Sequence, residues 1–285
     1  MEKLQLRKAT RRQAKLRIGI TAPSGGGKTY SALLLAYGLT GNWERIAVVD
    51  TENNSAELYD HLGAFSVITL SPPFTPERFI EAIHTCEEAG MEVIALDSAT
   101  AEWNGSGGCL EIQERLGGRW QDWKDVTPRH RKFIDTIIQS PAHIISCTRR
   151  VQDYDMGKDS QGKTFVTKVG MKEQQREGYE YDLTLNFELD IHHNARSSKD
   201  RTGLFMDKPI FVITEETGKK LKEWNEGGKD DPQIQKVEIV KLLKNLGFEA
   251  AGRDAYEVKV KELTGLDLTE NNYAEIIIKL TPKKI

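Results

Sequence analysis

Short apolar runs alternate with amphipathic stretches over most of the chain. Residues 18–21, 46–50, 65–70, 93–97 and 143–148 are strand-sized and rich in Ile, Val, Leu and Ala. Residues 93–97 are apolar at consecutive rather than alternate positions up to a final Asp97, the pattern of a strand with both faces covered. Between these runs, residues 28–38, 76–90 and 128–140 read as helices. Pro76 stands in the first turn of the second and Gly90 at its end, as helix boundaries require. Residues 183–189 and 210–214 predict later strands. Alternation of this kind predicts a mostly parallel sheet flanked by helices. Two stretches fit neither period. Residues 98–127, with Gly and Trp, and the polar residues 149–172 read as long loops.

Both ends of the chain depart from this pattern. Residues 1–16 form a basic arm, with Lys3, Arg7, Lys8, Arg11, Arg12 and Lys15, and Arg17 at its border, against Glu2 alone. Such a charge run is either a solvated tail or a nucleic-acid contact. The main core spans residues 17–226. Residues 227–234, beginning Gly227-Gly228-Lys229-Asp230-Asp231-Pro232, have the composition of a linker. Residues 235–285 read as a small helical domain. Val237, Val240, Leu243 and Leu246 fall at helical spacing, and Gly247 stops that helix.

Composition narrows the classes. The 285 residues carry a net charge of −3, so any contact with nucleic acid must be local rather than spread over a uniformly basic surface. The three cysteines, Cys86, Cys109 and Cys147, form no Cys-x-x-Cys pair. Buried reduced thiols are expected rather than a disulfide framework or a zinc site. His192-His193 reads as a strand-end pair rather than a metal site. No apolar run approaches the roughly 20 residues of a membrane span, and the basic N-terminus has no apolar signal region. A cytoplasmic protein without membrane contact is expected.

The sharpest chemistry lies at Ala22-Pro23-Ser24-Gly25-Gly26-Gly27-Lys28-Thr29, followed by Tyr30. A glycine loop that follows a strand and opens a helix has the context of a phosphate-binding Walker A loop. Its backbone N–H groups turn inward, and the helix N-terminus adds a positive dipole end. Lys28 is placed to reach β- and γ-phosphates and Thr29 to ligate Mg²⁺. Ala22 stands where the pattern has its first glycine. Asp97 ends an apolar strand, the Walker B arrangement, and becomes the second metal ligand. ATP with Mg²⁺ is the expected ligand pair. ATP is favoured over GTP because no Asn-Lys-x-Asp signature is present.

A carboxylate must also orient or deprotonate the attacking water. Glu52, in Asp50-Thr51-Glu52 at the end of the second strand, is the favoured candidate, and Glu102 competes with it. The Asp-x-Glu placement resembles RecA-family ATPases, in which the glutamate has that role.

Ser198-Lys199-Asp200-Arg201-Thr202-Gly203 resembles the Lys-x-Arg element of RadA, DnaB-type helicases and KaiC-like ATPases. That resemblance implies that Lys199 and Arg201 reach a neighbouring subunit's γ-phosphate. The ATP site would then be completed only in a homo-oligomer, ring or filament. The strings WQDWKDVTPRHRKFIDTIIQSPAHIISCTRR, VGMKEQQREGYEYDLTLNFELD and SSKDRTGLF resemble phage-encoded RecA-core ATPases of the Sak single-strand-annealing type. The resemblance covers about residues 17–226. It implies a RecA-like P-loop NTPase core with a mostly parallel central sheet, and an ATPase acting on single-stranded DNA in phage recombination or annealing. The cell compartment would be the host cytoplasm.

In RecA-like cores the two loops after the Walker B strand and the next strand face DNA. Here Arg149, Arg150, Lys163, Lys168 and Lys172 are the candidate DNA contacts, interleaved with Tyr154 and Phe165. Cations along a backbone and rings on bases suit single strands, while a solvated β-hairpin is the plain alternative. Arg149 can instead sense the γ-phosphate. Trp103, Trp120 and Trp123 are expected in core or subunit packing, with base stacking as the alternative. The C-terminal helical unit resembles tails of phage recombination proteins, which implies contact with DNA or a single-strand-binding protein. A nucleotide-switched loader and a translocating motor are the rival functions.

Overall fold

The computed structural model describes residues 14–158, 164–227, 232–249, 253–269 and 271–281. Contacts divide the chain between Trp224 and Asn225, giving one unit of Lys15–Trp224 and a second that takes in residues from Asn225 onward.

The larger unit is built on a nine-stranded sheet. Its strands are β1 (Arg17–Ala22), β2 (Ile46–Asp50), β3 (Ser66–Thr69), β4 (Val93–Asp97), β5 (His143–Lys158), β6 (Thr164–Glu173), β7 (Leu185–Leu189), β8 (Asn194–Asp200) and β9 (Phe211–Val212). The order is β3-β2-β4-β5-β1-β7-β8-β9, with β6 paired to β5 outside this path. All pairings from β3 through β7 are parallel, whereas β7–β8, β8–β9 and β5–β6 are antiparallel. This is the mostly parallel sheet flanked by helices that the alternation predicted. The helices of this unit are α1 (Lys28–Thr40), α2 (Pro76–Glu88), α3 (Thr100–Asn104), α4 (Cys109–Arg115), α5 (Trp123–Gln139) and α6 (Glu215–Glu226), whose last two residues belong to the second unit.

The consecutive apolar positions of the central strands are explained by two cores, one on each sheet face. Ile46 and Val48 of β2 and Val93 and Ala95 of β4 pack with Leu33 and Leu35 of α1. Their neighbours Ala47, Val49, Ile94 and Leu96 pack on the other face with Phe79 and Ile83 of α2 and Phe133 of α5. The period of 2 is preserved, but both halves of it are buried. Parallel registers then align strand ends along one edge: Asp50 opposite Asp97, Asp97 opposite Cys147, and Ala22 opposite Arg149. Ligands of open α/β sheets bind at this carboxyl edge.

Three expectations change. Residues 98–127 are not a loop: they hold α3, α4 and the first turn of α5, which starts at Trp123 with Pro128 inside it. Residues 149–172 belong largely to the β5–β6 ribbon, with β5 continuing past Thr148 to Lys158. Pairing between two polar strands leaves no strong apolar period for a sequence reading to find. Arg17 does not belong with a solvated arm. It is 6% exposed, and its guanidinium donates to the carbonyls of Ala142 (2.6 Å), Ser140 (2.5 Å) and Ile138 (2.9 Å), tying β1 to the turn between α5 and β5. Burial pushes its pKa down to about 10, against the opposing pull of Glu87.

In the second unit, α7 (Pro232–Asn245), α8 (Arg253–Thr264) and α9 (Tyr273–Leu280) share a core of Ile239, Leu243, Val260, Tyr273, Ile276 and Leu280. Gly247 ends α7 as expected: it takes a φ of 81°, and the next N–H, of Phe248, bonds Leu243 O at 3.0 Å. The buried stripe, however, runs through Ile239 and Leu243, while Val237 and Leu246 are exposed. An i, i+4 face won over the i, i+3 series read from the sequence. Among the described residues no helix is long and apolar enough to cross a membrane.

Candidate active site

β1 delivers Ala22 to the carboxyl edge, and the glycine loop turns back into α1. Gly27 caps that helix in the left-handed region, at a φ of 80°. A side chain there is disfavoured by the backbone, and its Cβ would stand 2.9 Å from His193 Nδ1. Gly26 is constrained by space instead, because a Cβ would come within 2.8 Å of the Ala22 methyl. The departure at Ala22 is therefore accommodated by a glycine four residues on. No side chain caps α1 and no acid stands in its first turn, so its N–H groups and dipole end are left for an anion. Lys28 is buried at the base of the loop and lines the cleft above it.

Asp97 ends β4 two strands away from β1, with β5 between them. It is 1% exposed, and its Oδ2 accepts a hydrogen bond from the Thr29 hydroxyl. Its Oδ1 is buried with no hydrogen-bond partner. Burial above all, helped by the Glu52 and Asp50 carboxylates, pushes its pKa up to about 6, while Thr29 and Lys28 pull the other way. A bare carboxylate oxygen beside a hydroxyl is a donor set that suits a hard divalent cation such as Mg²⁺, so the residues present fit that ion.

Asp50 organises the next segment. Fully buried, it accepts from Glu52 N (2.6 Å) and Ala56 N (2.8 Å), which folds the chain tightly after β2. Thr51 staples β2 to β4: its N–H donates to Asp97 O at 2.8 Å, and its hydroxyl accepts from Ser98 N at 2.8 Å. These bonds set Glu52 on the wall of the cleft, where Arg149 of β5 grips it. Glu102, the competing carboxylate, goes elsewhere. It is fully buried, meets His130 Nδ1 at 3.0 Å and accepts from Cys109 Sγ at 3.1 Å. It does not line the cleft. Burial and Glu102 together push the Cys109 thiol far up, and Cys86, Cys109 and Cys147 are all free, buried thiols.

The cleft has a volume of about 660 Å³, within the range of ligand pockets. The glycine loop, Lys28, Thr29, Glu52 and Arg149 give it a polar part. Its other part is apolar, with Tyr30 and Tyr59 (ring centroids 5.8 Å apart), Leu58, Val212 and Ile213, a surface suited to a nucleobase. Tyr59, Leu58, Val212, Ile213 and His193 were not picked out from the sequence as lining a site. His193 sits in the turn between β7 and β8 with a φ of 65° and reaches the glycine loop from far along the chain. No contiguous pattern announces such a contact.

The family model described as AAA domain matches residues 14–222, most of the chain. The chain belongs to the AAA domain family. It is a nucleotide-binding P-loop ATPase. No curated protein matches the sequence. Among solved structures, one similar to this AAA domain protein is a prototypical ATPase from the type III secretion system of pathogenic bacteria. The two are 12% identical, over 96% of this chain and 86% of that one, with a TM-score of 0.40.

The remaining candidates of this AAA domain protein are dispersed. Lys199, on β8, donates to Glu180 O (2.5 Å) and Tyr181 O (2.6 Å), and Arg201 donates to Tyr181 O (2.8 Å). Both cations thus converge on one turn, and neither lines the cleft of their own chain. Arg150 pairs with Glu188 at 3.1 Å and donates to Met171 O. Lys172 is exposed on β6, Lys168 pairs through its backbone with Tyr154, and Lys163 lies outside the described residues.

Proposed function

We propose that the protein is a Mg²⁺-dependent ATPase that acts on single-stranded DNA in phage recombination or strand annealing. The observation that carries the ATPase chemistry is the bare Asp97 Oδ1 beside Thr29, below the glycine loop and Lys28. The loop amides and Lys28 hold the phosphates, and Thr29 and Asp97 hold the Mg²⁺. The cation, when bound, neutralises charge on the β- and γ-phosphate oxygens. Glu52 orients a water and takes its proton as the water oxygen bonds to the γ-phosphorus and the bond to the β,γ-bridging oxygen breaks, releasing ADP. Tyr30 and Tyr59 flank the base. Lys199 and Arg201 of a neighbouring copy offset the charge growing on the transferred group, which makes the working form an oligomer.

The DNA half rests on the resemblance of residues 17–226 to single-strand-annealing ATPases and on the cations of the β5–β6 ribbon. ATP turnover with and without single-stranded DNA, across protein concentration, tests the whole reading. Stimulation by DNA with a superlinear rise supports it. Strictly linear, DNA-independent turnover removes the DNA and shared-site claims.

One observation favours a second reading, a nucleotide-switched loader with negligible turnover: Glu52 is gripped by Arg149 rather than free for a water. Glu52→Gln separates the two. The hydrolase loses turnover and keeps ATP binding, whereas the loader barely changes.

A further inference from the structure

The tryptophans that follow β4 do not pack into either core. Trp103, on α3, and Trp123, at the start of α5, stack with centroids 5.4 Å apart and planes 17° from parallel. The Arg176 guanidinium lies 5.8 Å from each of the two ring centroids. Trp120 is 89% exposed. With Lys124 these residues line an open groove of about 660 Å³, separate from the nucleotide cleft. Of the core or subunit packing expected from sequence, the core half does not describe Trp120, an indole that faces solvent. Large exposed aromatic surface of this kind marks a binding site.

We propose that this groove receives the bases of single-stranded nucleic acid, with a base stacked on Trp120 and the adjoining phosphates facing Lys124 and Arg176. The proposal deepens the reading of the protein as a single-strand-acting ATPase and rests on it. Charge separates these cations from the other candidates. Arg149 and Arg150, both expected to touch DNA, are committed to Glu52 and Glu188. Arg119 and Arg129 are likewise committed to Asp122 and Glu77. Arg176 is anchored by the neutral Thr127 hydroxyl at 3.2 Å, which leaves its charge for an anion. Glu177 is the single acid of the groove lining.

Stacked rings beside uncommitted cations suit a ligand that offers flat apolar faces and negative charge at short intervals. A single strand offers both. A duplex hides its base faces in its own stack, and a proline-rich peptide would use the rings without the cations. The groove also adjoins the catalytic edge. α3, which carries Trp103, begins at Thr100 just after Asp97, and Thr100 Oγ1 accepts from Arg149 N at 2.9 Å. A strand held in the groove is one short helix away from the metal carboxylate and from the arginine that grips Glu52.

The test is the anisotropy of a labelled oligo(dT) with the full chain, its Trp120→Ala and Trp120→Phe variants, and an abasic oligonucleotide of equal length. Trp120→Ala is expected to weaken oligo(dT) binding about tenfold, the loss of one stacked base. Trp120→Phe keeps most of the affinity, and the wild type binds the abasic strand as weakly as the alanine variant binds oligo(dT). Because Trp120 packs on almost nothing, its variants should melt with the wild type. Equal binding of oligo(dT) by wild type and Trp120→Ala overturns the groove while leaving the DNA reading standing. Equal binding of the abasic strand by the wild type does the same. No oligo(dT) binding by the wild type in any nucleotide state overturns the DNA reading itself, and the groove assignment with it.

Discussion

Arg149 holds Glu52 by two hydrogen bonds to one carboxylate oxygen, from Nε at 3.1 Å and Nη2 at 2.9 Å. Arg149 lies within β5 and Glu52 two residues past the end of β2, with β4 between the two strands. Half of the Arg149 side chain is exposed, so the pair contributes little stability, about 0–1 kcal/mol. Arg149→Ala should therefore leave the melting temperature nearly unchanged. Its turnover should fall about a hundredfold, since this cation also lines the cleft with the glycine loop and Lys28. A rise in turnover would show that the pair is a restraint instead.

Glu52→Gln keeps the size of the side chain and removes its basicity. Turnover should drop at least about a hundredfold while ATP affinity stays within a few-fold of wild type, read by single-turnover kinetics and by nucleotide titration.

Lys28→Ala should cost more than about tenfold in ATP affinity, the loss of a charged hydrogen bond worth roughly 1.5–3 kcal/mol. Asp97→Asn should bind ATP with a blunted response to Mg²⁺, because the oxygen that now lacks a partner loses its charge. Isothermal titration with and without Mg²⁺ separates the two effects. Uptake of nucleotide by Lys28→Ala at wild-type affinity would remove the glycine loop from the site.

Lys199 and Arg201 bond to the turn at Glu180 and Tyr181 and stand off their own cleft. If they serve a neighbour, Arg201→Ala and Lys28→Ala chains should each be inactive alone and partly active when mixed. Mixed oligomers then contain an intact loop facing an intact arginine. No recovery on mixing would count against a shared site.

His143 sits at the start of β5, where its Nδ1 accepts from Leu16 N at 3.0 Å. Burial first, then Lys15 and Arg17, hold its pKa well below the usual 6.5. The unfolded chain therefore binds a proton here before the folded one does. Stability is full above about pH 6.5 and falls as pH drops below that value toward the folded pKa, by about 1.4 kcal/mol per unit. His143→Asn, which keeps an acceptor and cannot titrate, should flatten the decline in melting temperature between pH 7 and pH 5.5.

The parts of the site written in contiguous residues were legible. The glycine loop, the strand that ends in Asp97 and the turn after Asp50 each carry a local backbone rule, so the placement of Lys28, Thr29, Asp97 and Glu52 at one edge of the sheet could be expected without coordinates. Glu102 could not be set aside in the same way, because its burial depends on His130 and Cys109, which a linear pattern does not bring to it. The loop expected at residues 98–127 became helices for a similar reason: α3 and α4 are short, and their stability comes from packing rather than periodicity.

What the sequence alone determined about this protein is the parallel sheet, its phosphate loop and the order of its carboxylates, since strands buried on both faces and glycines in forced conformations leave marks in consecutive positions. Only the tertiary structure decided that His193 abuts the loop, that Arg149 faces Glu52 and that Trp120 faces solvent beside the stacked Trp103 and Trp123. Those pairings follow from which strand lies beside which, and that order is set by the packing of two cores rather than by any one segment.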